Sequence, residues 1–266
     1  MSTPTAQTFM SEDNQPFVTS ISTADESSIT VRDADLTSEL VGEYNFGSFF
    51  YLLVTGDEPT QSESRLCNAM LVTIAEHGMT PSVIAARQTY AAAPGSIQGA
   101  VSSGILGAGD LLLGPMQQVA AMVQIGVQRV ESGEQIKSVA IDIVDEYDTL
   151  PGFGHPSHEP TDPRTDRLFD LLKKEERAGQ HHSMIKAIQS AAEQEYGTRL
   201  LINATGAIGT VVSELDLDPI AARGIALIAR VGGLTAHLVE EKNNPVAWDI
   251  WSLVEENTQY HQNVQE

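Results

Sequence analysis

Gly152-Phe153-Gly154-His155-Pro156-Ser157-His158-Glu159-Pro160-Thr161-Asp162-Pro163-Arg164 interrupts a chain that otherwise reads as helix after helix. From Leu150 to Pro156, two prolines and two glycines cannot be helix interior. Gly152 and Gly154 allow the backbone to approach a ligand closely. His155 can donate a hydrogen bond to a carbonyl that becomes an oxyanion. Asp162 is placed to cap a helix opened by Pro163. Arg164, just inside that helix, can clamp a carboxylate with its guanidinium. His155 and His158 could share a metal, but the segment is not helical and no third ligand is obvious, so no metal site is expected.

On either side of this stretch the apolar spacing is helical. Phe46, Phe49, Phe50, Leu52 and Leu53 follow three- and four-residue steps. Asp57-Glu58-Pro59-Thr60 supplies a stop and a fresh cap, and Ser62 to Glu76 reads as an amphipathic helix. Residues 82–130 are rich in small residues, which predicts close helix packing; Gly104-Ile105-Leu106-Gly107-Ala108-Gly109 is read the same way, because no strand precedes it. Further helices are expected over 134–148, 163–179, 184–196, 202–213 and 218–241, with an amphipathic tail from Lys242. Pro219 to Val239 is apolar on nearly every face, as in a core or subunit-interface helix. The only extended run is Ser28-Ile29-Thr30-Val31-Arg32. The fold class is all-α.

Three further groups stand out. His77, in Glu76-His77-Gly78-Met79-Thr80-Pro81-Ser82, either caps the end of an apolar helix or faces a cleft. Arg230 lies in a wholly apolar helix and must pair with an internal acid or with a substrate carboxylate. His237, two turns later, is read as a satisfied core histidine, and His181-His182 as solvated surface.

Composition narrows the classes. The 266 residues carry 15 Lys+Arg against 36 Asp+Glu, a net charge of −21, which disfavours nucleic acid and anionic membranes. No uninterrupted apolar run reaches membrane-spanning length. A single cysteine, Cys67, excludes an internal disulfide framework. The polar start has neither the basic end nor the apolar core of a signal peptide, so the cytoplasm is the expected compartment. Walker A, G-x-S-x-G and H-E-x-x-H sequences are absent.

Taken together, these segments resemble the citrate synthase superfamily, and within it the short citryl-CoA lyase-like members and the lyase module of ATP-citrate lyase. Phe46 to Thr60 is similar to the family's "F…LLLTGELPT", Glu76 to Ser82 to "DHGLTPS", and Gly152 to Arg164 to "GFGHPxHKPxDPR". Ile202-Asn203-Ala204-Thr205-Gly206 stands where "NVDG" is usual. Residues 1–27, rich in Ser, Thr, Asp, Glu and Gln with few large apolar groups, read as a polar lead-in, and the resemblance implies one domain over 28–266, with a large helical lobe (28–150 and 200–266) and a small one (151–199). It implies Claisen-type chemistry on a CoA thioester as substrate, with no tightly bound cofactor; the apolar helices over 82–125 and 218–241, more than one small core absorbs, predict a homodimer. His77 would bind the substrate acid, His155 would contact the oxygen at the reacting carbon, and Arg164 and Arg230 would hold carboxylates. The CoA-binding side chains are not assigned by it.

Three departures bear on activity. Gln117 in Gly114-Pro115-Met116-Gln117 replaces the histidine of "GPLHGG", as in the lyase-like branch. Thr205 replaces the proton-transferring aspartate of "NVDG". Glu159 replaces a basic residue. The leading expectation is a CoA-dependent carbon–carbon lyase cleaving a citryl-CoA-like 3-hydroxyacyl-CoA to acetyl-CoA and a keto acid. The alternatives are a synthase running the condensation and a non-catalytic homologue that binds a carboxylate or assists a partner.

Overall fold

The computed structural model describes residues 17–155 and 158–260. Most of the polar lead-in, and Pro156 and Ser157 of the central motif, lie outside the described residues.

The chain opens with a three-stranded antiparallel sheet, β1 (Ser22–Ala24), β2 (Ile29–Val31) and β3 (Ala34–Asp35), with β2 in the middle. Thr23 faces Thr30, and Thr30 faces Asp35. β2 is the extended run read from the sequence, whereas β1 falls inside the stretch read as lead-in. Leu36–Leu40 is a single π-helical turn, capped by the Asp35 carboxylate.

Eleven α-helices follow among the described residues: α1 (Phe46–Thr55), α2 (Gln61–Ala75), α3 (Pro81–Ala92), α4 (Ile97–Leu112), α5 (Gly114–Glu131), α6 (Ile136–Glu146), α7 (Pro163–Lys174), α8 (Gln180–Tyr196), α9 (Ala204–Glu214), α10 (Pro219–Asn243) and α11 (Ala247–Glu256). The all-α reading holds. Local signals set most of the ends. Thr60 and Glu63 form a reciprocal capping box at the start of α2. Asp162, Asn203 and Asp218 each accept backbone N–H groups at the starts of α7, α9 and α10.

Two expectations need correction. The glycine-rich end of α4 packs closely, since a Cβ on Gly104 would lie 2.8 Å from Leu234, but Gly109 breaks the helical path with φ 50° and ψ −162°. His181 and His182 are not solvated surface. Helix α8 begins before Met184 because Glu214, at the far end of α9, accepts the N–H groups of Gly179 and His182 at 2.7 Å each. The same carboxylate lies 3.3 Å from His181 Nδ1, and His182 packs edge-on against Phe169 at 4.8 Å. Burial pushes the His182 imidazole below its ordinary pKa.

The main core joins α2 and α5–α10 around Leu66, Met70, Met116, Val123, Leu172, Ile188, Ile208 and Ile225. Each such side chain contributes about 1.5–3 kcal/mol when fully buried. Cys67 is buried in this core, which pushes its thiol up to about 12. A second cluster binds α3 and α4 to Leu234 and Leu238 of α10. By length and composition α10 could cross a bilayer, although no uninterrupted apolar run is that long. It packs against α2, α3, α4, α5 and α9, while Ile220, Val231 and Val239 remain exposed. The helix is therefore one-sided within this chain rather than buried all round.

Candidate active site

Asp162 is the anchor of the site. Its carboxylate is fully buried. Oδ1 accepts the Arg164 backbone N–H and Nε–H, both at 3.0 Å, and Oδ2 accepts Arg164 Nη2–H at 2.8 Å. Oδ2 also accepts the Ala204 N–H at 3.0 Å, tying the starts of α7 and α9 together. Burial pushes this carboxyl up, but the bonds from Arg164 and Ala204 outweigh it and hold the pKa below its ordinary value.

The loop before α7 is laced to the loop before α9. Asn203 N–H donates to the Gly152 carbonyl at 2.9 Å, and Gly154 N–H to the Leu201 carbonyl at 2.9 Å. Asn203 Nδ2 donates to the Gly154 carbonyl at 2.8 Å, while its Oδ1 accepts from Thr205 Oγ1 at 2.6 Å and from the N–H groups of Thr205 and Gly206. The contact demands glycine on both sides. Gly152 has φ +82°, and a Cβ on Gly206 would lie 2.5 Å from the Gly152 carbonyl oxygen.

These loops, the turn after α2, the kinked end of α4 and the start of α5 enclose a cavity of about 1000 Å³. His77, His155, Arg164, Thr205 and Arg230, each singled out from the sequence, all line it. The His77 and His155 ring centroids are 5.5 Å apart, and His158 stacks on His155 at 4.2 Å. Arg164 Nη2 lies 3.2 Å from His155 Nε2. A guanidinium can only donate, so Nε2 accepts and the neutral ring carries its proton on Nδ1. Burial pushes both His77 and His155 below the ordinary imidazole pKa; the Arg164 guanidinium and the His158 ring push them further the same way.

Arg230 is 6% exposed, and its Nε and Nη1 are buried without a hydrogen-bond partner. Of the two partners open to it, an internal acid is thus not in hydrogen-bonding contact with those atoms. Burial lowers its pKa, and the nearby charge of Glu76 opposes that shift. Thr205, at the first turn of α9, presents a hydroxyl where the resemblance puts a carboxylate.

Some lining groups were missed from the sequence. Pro115 and Gln118 of α5 line the cavity, and Gln117 does not. Three-residue spacing at the start of α5 puts 115 and 118 on one face and turns 117 aside. Asp110 is the one acidic side chain lining the cavity among the described residues; it is paired with Arg223 at the rim. His158 had no evident companion beyond His155. The fold adds His77, so that donor atoms of all three rings lie within 4.8 Å of one another. That spacing would suit a metal ion, but Arg164 donates to one of the rings and Arg230 lines the same space. Two guanidiniums make the surroundings more favourable for an anion than for a cation.

Comparison with known proteins agrees with this architecture. A family model for the citrate synthase C-terminal domain matches residues 31–249. The chain belongs to the citrate synthase family. A citrate synthase of Deinococcus radiodurans is 27% identical over 199 residues, 73% of this chain and 51% of that protein. The chain spans about half the length of the curated family members it matches. The structure of citryl-CoA lyase from Hydrogenobacter thermophilus superposes with a TM-score of 0.84 at 28% identity, covering 95% of this chain and 97% of that one. Methanosaeta concilii ATP citrate lyase, solved in complex with (3S)-citryl-CoA, superposes with a TM-score of 0.73. It covers 100% of this chain and 43% of its own length, and at 16% identity the likeness is one of fold.

Proposed function

We propose that this citrate-synthase-family chain is a CoA-dependent carbon–carbon lyase, cleaving a citryl-CoA-like 3-hydroxyacyl-CoA to acetyl-CoA and a keto acid. The observation that carries the reading is Arg230, whose Nε and Nη1 are buried without a hydrogen-bond partner in the cavity that Arg164, His77 and His155 also line. A buried cation with unmet donors is costly, and a substrate carboxylate would satisfy it. The likeness to a citryl-CoA lyase, 28% identical with a TM-score of 0.84, favours cleavage over condensation.

The chemistry follows from the charges. A substrate carboxylate draws the Arg164 guanidinium and frees the lone pair on His155 Nε2. The neutral ring then accepts the proton of the tertiary hydroxyl. The carbon–carbon bond breaks, its electron pair passes into the thioester as an enolate, and the hydroxyl oxygen becomes the keto oxygen of the released acid. Protonation of the enolate carbon gives acetyl-CoA. Thr205 has no useful pKa for that step, so the proton comes from His155 or water. A specific observation also keeps the non-catalytic reading in view: the Thr205 hydroxyl is already held by Asn203. We also propose a homodimer, supported by the exposed apolar side chains of Leu106, Val239, Trp248, Trp251, Leu253 and Val254.

Calorimetric titration with CoA, acetyl-CoA and citrate tests the reading; uptake of CoA and its thioester supports an enzyme, and binding of citrate alone supports the carboxylate-binding role. The pH dependence has a definite sign. Burial holds the His77 imidazole below its ordinary pKa in the free protein. A bound carboxylate favours its protonated form and raises that value. Citrate binding is therefore expected to take up protons and to tighten as the pH falls from about 8 to about 6. Heats measured in buffers of different ionisation enthalpy check this; proton release on binding would contradict it.

A further inference from the structure

The turn that carries His77 is held by a chain of contacts outside the cavity. Glu76 Oε1 accepts the N–H groups of His77 at 2.9 Å and Gly78 at 2.5 Å. Glu76 Oε2 lies 3.0 Å from His237 Nε2. On the other side of that ring, Arg87 Nη2 lies 2.7 Å from His237 Nδ1. Arginine only donates, so Nδ1 accepts and the neutral ring's proton sits on Nε2, within ion-pair distance of Glu76 but not aligned with it as a hydrogen bond. Arg87 is 1% exposed, and its Nη1 donates to the buried Glu241 at 2.8 Å; Nη2 also pairs with Glu240. Glu241 in turn accepts the N–H groups of Val246 and Ala247, fixing the start of α11.

Two further observations give this chain a purpose. His237 and Arg230 are seven residues apart on α10, so they share one face across two turns. Between them, at Gly233, the end of α2 touches α10: a Cβ there would lie 2.0 Å from the Ala75 carbonyl oxygen. Glu76 is also the acid whose charge acts on Arg230. One carboxylate thus holds the backbone of His77 and faces the helix that carries Arg230.

We propose that His237 and Glu76 are positioning residues: with Arg87 behind them, they clamp the His77–Gly78 turn to α10 and so fix His77 relative to Arg230 for binding one polycarboxylate. The proposal rests on the functional reading above, in which both groups face the substrate. The imidazole is a link between a buried cation and a carboxylate, and its second nitrogen is what reaches Glu76. Glutamine can present an amide N–H at a comparable reach, whereas phenylalanine fills the space with no donor.

The test compares wild type, Glu76→Gln, His237→Phe and His237→Gln. Citrate affinity by calorimetry is expected to fall about tenfold or more in Glu76→Gln and His237→Phe, as the polar contact between position 76 and the His237 ring is weakened or lost, and to recover in large part in His237→Gln. Citryl-CoA turnover at saturation should change less than threefold, because the loss is one of binding. In parallel, the ¹H–¹⁵N amide signals of His77 and Gly78 should shift in His237→Phe and lie nearer wild type in His237→Gln. Unmoved amide signals overturn the proposal. So does an equal loss of affinity in both His237 variants with a matching fall in melting temperature, which is the pattern of simple packing damage. If wild type binds no citrate, the functional reading fails, and the amide signals alone decide whether the clamp exists.

Discussion

Thr205→Asp is expected to raise citryl-CoA cleavage by about a hundredfold or more, within the 10²–10⁴ range of a well-placed proton-transfer group. Thr205 lines the cavity and occupies the first turn of α9, where the helix dipole favours a carboxylate. Arg164 and the imidazoles lie in the same cavity, so an added negative charge has cations near it. The carboxylate could deliver and retrieve the proton at the enolate carbon, a step that otherwise falls to His155 or water. Opposing this, an aspartate would stand near the substrate's own carboxylates, and like charges weaken binding. Turnover and KM must therefore be measured side by side for wild type and variant. A rise in turnover, even with a higher KM, supports the missing carboxylate as the bottleneck. A fall in turnover with intact folding would show that the site has settled around chemistry that does not need it.

His155→Ala should lower turnover by about 10²–10³, the usual cost of removing a donor at a developing oxyanion, and possession of the hydroxyl proton is lost with it. The side chain stands on a loop beside the cavity, with Arg164 Nη2 against its Nε2. Arg164 keeps three bonds to Asp162 in its absence, so the fold and the guanidinium stay in place. Unchanged melting with lost turnover is the expected pair of results. Wild-type turnover in the variant would remove His155 from the reaction.

The site was legible in the sequence where local chemistry carried it. Prolines and glycines around His155 could not be helix, Asp162 and Pro163 announced a helix start, and Arg230 was conspicuous in an apolar helix. The cavity that gathers these residues depends on contacts between segments about forty to a hundred and fifty residues apart, which no local pattern encodes. Glu214 starts α8 ahead of the expected point for this reason, and His237 serves a linking role that a core reading does not reveal. His158 lacked a third partner in the sequence because His77 arrives from α2's far end. The choice between Gln117 and Gln118 turned on a single residue of helical phase, finer than motif alignment resolves. Strand β2 and the helices with strong local caps were the most predictable elements, since each answers to its own few residues.

Incubating the purified wild-type protein with citryl-CoA and following the products decides whether this chain is a lyase. Oxaloacetate can be read through NADH oxidation by added malate dehydrogenase, and acetyl-CoA by chromatography. A lyase gives acetyl-CoA and oxaloacetate in equal amounts, with formation lost in His155→Ala. Folded protein that binds citrate yet releases neither product, from citryl-CoA above any measured dissociation constant, would contradict the lyase reading.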